Sequence, residues 1–304
     1  MENGKKKLAV LVGCNYPNTR NELHGCINDV LSMKDVLVNK LGFEPSNIEL
    51  LTDAPGSSVM PTGANIKAML SQMVDHAAPG DVLFFHYSGH GTRIPSYHGF
   101  KQDEAIVPCD FNLITDVDFR QLVNRLPAGS SFTILSDSCH SGGLIDKEKE
   151  QIGPNEDNPK SLPTHPKIIP FDTILHQLSS VSGVQSSDIG LHMMEVFGKE
   201  ASIKFQLSKA EMDHLGRSDS GILLSGCQAN ETSADINPLV SGGKAYGAFS
   251  NALQTVLKEH GTSISNRELI IRTREILRAK GFRQHPCLYS SDENANAPFL
   301  QGTL

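Results

Sequence analysis

No part of the 304-residue chain approaches the ~20 consecutive apolar residues that span a bilayer. The first apolar run, LAVLVGC, is too short for a secretory h-region and lacks a small-residue cleavage site in the right place. A cytoplasmic protein is therefore expected, with extracellular or nuclear presence left open. A basic stripe is also missing. The formal net charge is -7 and the one cationic cluster is Lys5-Lys6-Lys7, which argues against nucleic acid as a partner and suits a cationic substrate. The cysteines at 14, 26, 109, 139, 227 and 287 form no C-x-x-C pair and no zinc-ligand spacing, so they read as reduced thiols. No G-x-S-x-G elbow is present, which excludes the α/β-hydrolase route to a nucleophile. Internal repeats and low-complexity tracts are absent too.

Hydrophobic residues make up 38% of the chain, enough for a packed core. Short apolar runs at 7–16, 47–52, 81–87 and 131–136 predict strands. Between them, apolar residues recur at helical spacing in 27–41, stopped by Gly42, and from Thr62 to Ala77. Thr115 followed by Asp118 predicts a capped helix through about Leu126. This alternation implies an α/β fold with a mainly parallel sheet and helices on both faces. Sites in such sheets collect at the carboxyl ends of strands. The pattern then breaks: residues 146–170 hold five prolines and many charges, and read as an exposed linker. Helical pieces follow at 171–180 and 187–198, then a strand at 220–228, helices at 247–259 and 266–280, and a last strand at 285–290.

Two motifs sit at strand ends. In SDSCHSGG, Cys139 follows the 131–136 strand, and Gly142-Gly143 allow a tight turn. An exposed sulfur with backbone amides aimed at the same space suits a nucleophile with an oxyanion site, although a free cysteine is more often a buried structural thiol. In FFHYSGHGTR, His90 stands on an open Ser-Gly-His-Gly turn after the 81–87 strand, about 50 residues before Cys139. Two neighbouring parallel strand ends would bring Cys139 and His90 together as a dyad. His140 is a weaker base, because adjacent side chains diverge on extended backbone. His86 and His90, at i and i+4, do not converge on a metal when they lie on a strand.

HYSGHGTR and SDSCHSGG, together with GCINDV (25–30), DEAIVPCD (103–110) and SGCQANETSAD (225–235), resemble a metacaspase. The long linker and the lack of a Pro-rich or zinc-finger N-terminal extension resemble the plant type II group, whose family role is in programmed cell death. The resemblance covers nearly the whole chain. It implies a caspase-like fold with a p20-like half at 1–145, a linker with an activation cleavage region at 146–217 and a p10-like half at 218–304. It also implies a thiol protease. His90 ionises Cys139 and later protonates the leaving amine; the backbone N–H groups of Gly91 and Cys139 bind the oxyanion. Asp29 and Asp137, with help from Ser88, line an S1 pocket that takes Arg or Lys by charge-assisted hydrogen bonds. Cys26, three residues from Asp29, reads as a small core residue, with a backup sulfur as the minority reading.

Type II metacaspases are made as zymogens cut after a basic residue of the linker. By its position Lys167 is the expected autocleavage site, with Lys147, Lys149 and Lys160 as alternatives; the plain alternative is that these lysines keep a loop solvated. Many metacaspases bind calcium through an acidic cluster. The candidates here are Asp103, Glu104, Asp116, Asp118 and Asp146, but Val117 stands where the family often has an acid, so a weak or absent site and no cofactor are expected. The expected partners are protein and peptide substrates with Arg or Lys at P1, with no membrane and a monomeric state. The rival function is a catalytically inactive caspase-like scaffold that binds partner proteins, which retention of the dyad and both pocket acids disfavours.

Overall fold

The structure is a computed structural model, described over residues 5–96, 102–139, 144, 150–152, 165–214, 221–228, 231–237 and 243–301. His140, Gly142, Gly143, Asp146, Lys147, Lys149 and Lys160 lie outside these residues.

The first half runs β1 (Lys7–Gly13), α1 (Cys26–Leu41), β2 (Ile48–Thr52), α2 (Gly63–Asp75) and β3 (Val82–Ser88). A small antiparallel sheet follows, of β4 (Gly91–Pro95), β5 (Gln102–Ile106) and β6 (Ile114–Thr115). Next come α3 (Asp116–Val123) and β7 (Ser131–Asp137). Then follow β8 (Glu150–Ile152), β9 (His165–Pro166), α4 (Phe171–Ser182), α5 (Ile189–Phe197), α6 (Ile203–Gln206) and α7 (Lys209–His214). The chain ends with β10 (Gly221–Ser225), β11 (Ala234–Ile236), β12 (Tyr246–Gly247), α8 (Ala248–His260), α9 (Asn266–Ala279), β13 (Cys287–Tyr289) and α10 (Asp292–Asn296).

Seven strands form the central sheet in the order β2-β1-β3-β7-β10-β13-β8. The first five are parallel, and β13 and β8 are added antiparallel. Alternation along each strand splits the core in two. Val10, Val12, Leu83, Phe85 and Ile134 face α2 and α3, while Ala9, Leu11, Phe84 and Leu135 face α1, α8 and α9. Both faces are covered, which is why these strands read as continuous apolar runs. The helix boundaries follow local chemistry. Gly42 adopts the left-handed conformation that stops α1. Thr62 caps α2 by accepting the Asn65 N–H, and the Asp118 carboxylate reaches back to the Thr115 N–H at the start of α3.

Three features differ from the sequence reading. The small sheet β4–β6 went unnoticed because its strands are short and carry polar residues. Residues 150–152, read as linker, form the edge strand β8; three residues flanked by charge show no periodicity. Residues 165–166 are also strand: β9 pairs with β11, which in turn pairs with β12.

Candidate active site

Strand register builds the site. Gly13, Ser88 and Asp137 occupy one row at the carboxyl ends of β1, β3 and β7. His90 and Cys139 each lie two residues past the last residue of their strand, so equal strand endings deliver both to one edge of the sheet. Asp29 enters from the first turn of α1, which starts beyond the end of β1.

Into this edge runs Lys167. Its side chain is fully buried, which a lysine tolerates only when paired. Nζ lies 3.2 Å from Asp137 Oδ2 and 3.4 Å from Asp29 Oδ2, and donates to Ser88 Oγ at 2.9 Å. The pocket around it is a closed network. Ser88 Oγ donates to Asp29 at 2.7 Å, and the Gly247 N–H donates to the same carboxylate. Asp137 accepts from Ser233 Oγ at 2.5 Å and from both Ser250 Oγ and N–H at 2.7 and 2.9 Å. A Cβ on Gly247 would sit 2.3 Å from both Asp137 Oδ2 and Lys167 Nζ, and 2.5 Å from Asp29 Oδ2, so a residue without a side chain leaves the room for a long cation.

The electrostatics match this arrangement. Burial alone would lower the Lys167 ammonium, but Asp137, Cys26 and Asp29 more than reverse it and hold it well above its usual value. For Asp137, burial pushes up, and Lys167 with the Ser233 and Ser250 hydrogen bonds outweighs it, leaving a carboxylate below the ordinary range. Asp29 goes the other way: burial carries it to about 7, against the pull of Lys167 and with repulsion from Asp137 adding to the rise. Asp137 is thus the stronger counter-charge to Lys167, and Asp29 the weaker.

The Lys167 backbone is held as firmly as its side chain. Its carbonyl oxygen accepts the N–H groups of Gly91 at 3.0 Å and Cys139 at 3.1 Å, the two donors expected from the resemblance. The Lys167 N–H donates to the Ser233 carbonyl, and the Ile169 N–H to the Gly91 carbonyl. The chain therefore crosses the site extended, with its carbonyl polarised between two amides beside a sulfur. Cys139 is buried rather than exposed as its motif suggested; its Sγ accepts the Ser233 N–H at 3.1 Å and lies 3.7 Å from the Ser233 carbonyl oxygen.

His90 Nε2 donates to the Asn21 carbonyl at 2.7 Å. This fixes the neutral tautomer with Nδ1 unprotonated, and Nδ1 has no hydrogen-bond partner among the described residues. Burial pulls the ring down to about 4, so it is neutral and able to accept a proton at ordinary pH. Two tyrosines hold its backbone: the Tyr16 hydroxyl accepts the His90 N–H at 3.0 Å, and the Tyr87 hydroxyl donates to the His90 carbonyl at 2.8 Å. The Tyr16 ring also lies 4.7 Å from the imidazole, tilted by 43°. Tyr16 itself has a φ of 49° and its N–H is clamped by the buried Asp53 carboxylate.

Asp29, Ser88, Asp137, Gly91 and Cys139 all contact Lys167, and His90 stands one residue before Gly91 on the same strand-end turn. Of the acidic residues considered for calcium, Asp146 lies outside the described residues, and the others are engaged by protein groups. Asp103 pairs with Lys204, Asp116 with Arg120, and Asp118 accepts the Thr115 and Ile203 N–H groups. Glu104 is buried on β5. No group of three or more potential metal ligands occurs among the described residues. Cys26 is buried in the core and its thiol is pushed well above its usual value, chiefly by burial. His86 is also a core residue, lowered to about 3 by burial, with Nε2 3.3 Å from Ser250 Oγ behind the pocket. Asn21, Tyr16, Ser233, Ser250 and Gly247 were missed from sequence. Ser233 had a signal, since it lies inside SGCQANETSAD; Asn21 had none, because only its backbone carbonyl takes part.

A caspase-domain family model matches residues 6–297. The chain is 59% identical to Metacaspase-9 of Arabidopsis thaliana, covering 97% of each sequence. The chain belongs to the metacaspases. It is also 35% identical to Metacaspase-4 of the same plant, over 97% of the chain and 99% of that relative. With Metacaspase-1 of Schizosaccharomyces pombe it shares 34% identity, over 95% of the chain and 68% of that relative. A crystal structure of a protein from Geobacter sulfurreducens has the same fold, with a TM-score of 0.62 at 18% identity, covering 98% of this chain and all of that one. As a metacaspase the protein is a cysteine-type peptidase, and its substrates are proteins.

Proposed function

We propose that this metacaspase is an endopeptidase that cleaves after Arg or Lys with Cys139 and His90, and that it is made as a zymogen whose first substrate is its own Lys167–Ile168 bond. The observation that carries the reading is the seat of Lys167: ammonium between two carboxylates, carbonyl between the Gly91 and Cys139 amides. A basic side chain of a substrate would take the same place once the linker leaves. Bidentate guanidinium is accommodated by the same pair of acids.

The chemistry follows from the groups present. His90 Nδ1 takes the Cys139 proton, and the thiolate attacks the carbonyl carbon. The developing oxyanion is met by two amides already aimed at it, so little reorganisation is needed. His90 then gives the proton to the departing nitrogen, leaving a thioester on Cys139, which water hydrolyses. The Asn21 carbonyl stabilises the imidazolium formed between these steps and keeps the ring oriented.

The test compares fluorogenic peptides ending in Arg, Lys and Asp, with the parent protein, Cys139→Ala and His90→Ala. Mass spectrometry of the parent should find a new N-terminus at Ile168. Equal turnover of Arg and Asp peptides, or activity retained in Cys139→Ala, would sink the reading; no turnover of any peptide would favour the inactive scaffold.

A further inference from the structure

Both sides of the Lys167–Ile168 bond are anchored, the acyl side by the Lys167 side chain and carbonyl and the amine side by a packed core. Before Lys167, His165 and Pro166 are exposed and pair with β11 through the two-residue strand β9. On the C-terminal side, Ile168 bridges to Gly91 and the Ile169 N–H donates to the Gly91 carbonyl. The Ile169 side chain is fully buried in a separate core with Ile94, Val107, Leu113, Ile174 and Leu178. Ile174 and Leu178 belong to α4, which begins at Phe171. The C-terminal side is thus not a loop laid over the site but part of a packed core.

We propose that Ile169 keeps the new N-terminus seated after the bond is cut, so that the amine of Ile168 reseals the linker more often than water completes its hydrolysis. This rests on the autocleavage reading above. In the forward step the Cys139 sulfur bonds to the Lys167 carbonyl carbon, the bond to the Ile168 nitrogen breaks, and His90 supplies that nitrogen with a proton. In the reverse step the same amine attacks the thioester, the sulfur leaves as thiolate, and the surplus proton returns to His90. No oxidant or external reactant is needed. An ordinary peptide substrate loses its amine half by diffusion. Here the amine remains beside the thioester, at an effective concentration of at least about millimolar for a loose tether and far more for an oriented one. The chain acts on itself as a ligase until the Ile169 anchor lets go.

Hydroxylamine provides the test, because it captures a thioester faster than water does. It is added to purified, uncut full-length protein, and loss of intact chain is followed by mass spectrometry. Resealing predicts that hydroxylamine speeds the loss several-fold and leaves Lys167 as its hydroxamate. In Ile169→Ala, with Ile169→Val as a milder step, the intact chain is expected to disappear faster without hydroxylamine and to respond less to it. Cleavage after Lys167 at a rate that hydroxylamine does not change, in the parent protein, overturns the proposal while leaving the autocleavage reading intact. No cut at Lys167 removes both. The parent measurement decides the matter even where a core substitution harms folding.

Discussion

The charge of Asp137 should be worth orders of magnitude for basic substrates and almost nothing for neutral ones. Lys167 Nζ lies 3.2 Å from Asp137 Oδ2, with both side chains fully buried. At an effective dielectric constant of 20, unit charges at that distance attract by about 5 kcal/mol. Removing one partner of a buried hydrogen-bonded pair costs about 2–5 kcal/mol. For Asp137→Asn, kcat/KM on an Arg peptide should therefore fall by roughly 30-fold to several thousand-fold. The same peptide with citrulline, a neutral isostere of arginine, completes a double-mutant cycle that cancels any general damage to the pocket. In the parent, Arg should be far preferred to citrulline; in Asp137→Asn most of that preference should vanish, with Asp29 sustaining the remainder. Thermal melting checks that the variant is folded. An Arg-to-citrulline ratio in Asp137→Asn within about twofold of the parent's would refute the assignment of Asp137 as the counter-charge.

Three further outcomes are expected. His86 is held at about 3, below its unfolded value near 6.5, so the unfolded chain binds the extra proton and stability falls as pH drops below 6.5. Denaturation at pH 6.5 and 4 should show His86→Gln losing about 3 kcal/mol less than the parent over that interval, and equal losses would contradict the buried neutral imidazole. Tyr16→Phe leaves the His90 N–H without its acceptor, a loss of about 1–3 kcal/mol, and should lower kcat roughly tenfold with little change in KM. A matching rise in KM would point to the pocket instead of the base. Chelation of calcium should leave peptide cleavage unchanged, since Asp103, Asp116 and Asp118 are already engaged by protein partners; loss of activity restored by added calcium would show otherwise.

What could be read from the sequence was whatever rests on side chains and period. Strands β1, β3 and β7 announced themselves because both faces are buried, and the two chemical motifs followed from their equal endings. Lys167 was expected by position alone, and among the described residues its ammonium lies between Asp29 and Asp137. Less visible were groups that act through the main chain. The Asn21 carbonyl that orients His90 and the Ser233 amide at the sulfur carry no compositional mark. The pairing of β9 with β11 was hidden in a proline- and charge-rich stretch, where two residues suffice because their partner strand is already in place. Tyr16 looked like the end of a strand; its role depends on a left-handed backbone that only the Asp53 clamp makes visible.

Gly247 ties these threads to the architecture. It and Ser250 come from the end of the sequence, whereas Asp29, Ser88 and Asp137 come from its beginning, and together they enclose one cation. Scission at Lys167 would therefore make two polypeptides that neither can do without: one brings the acids, the other the floor beneath them. The two fragments would also share one central sheet and its two cores, so separating them would take apart the pocket and the fold together.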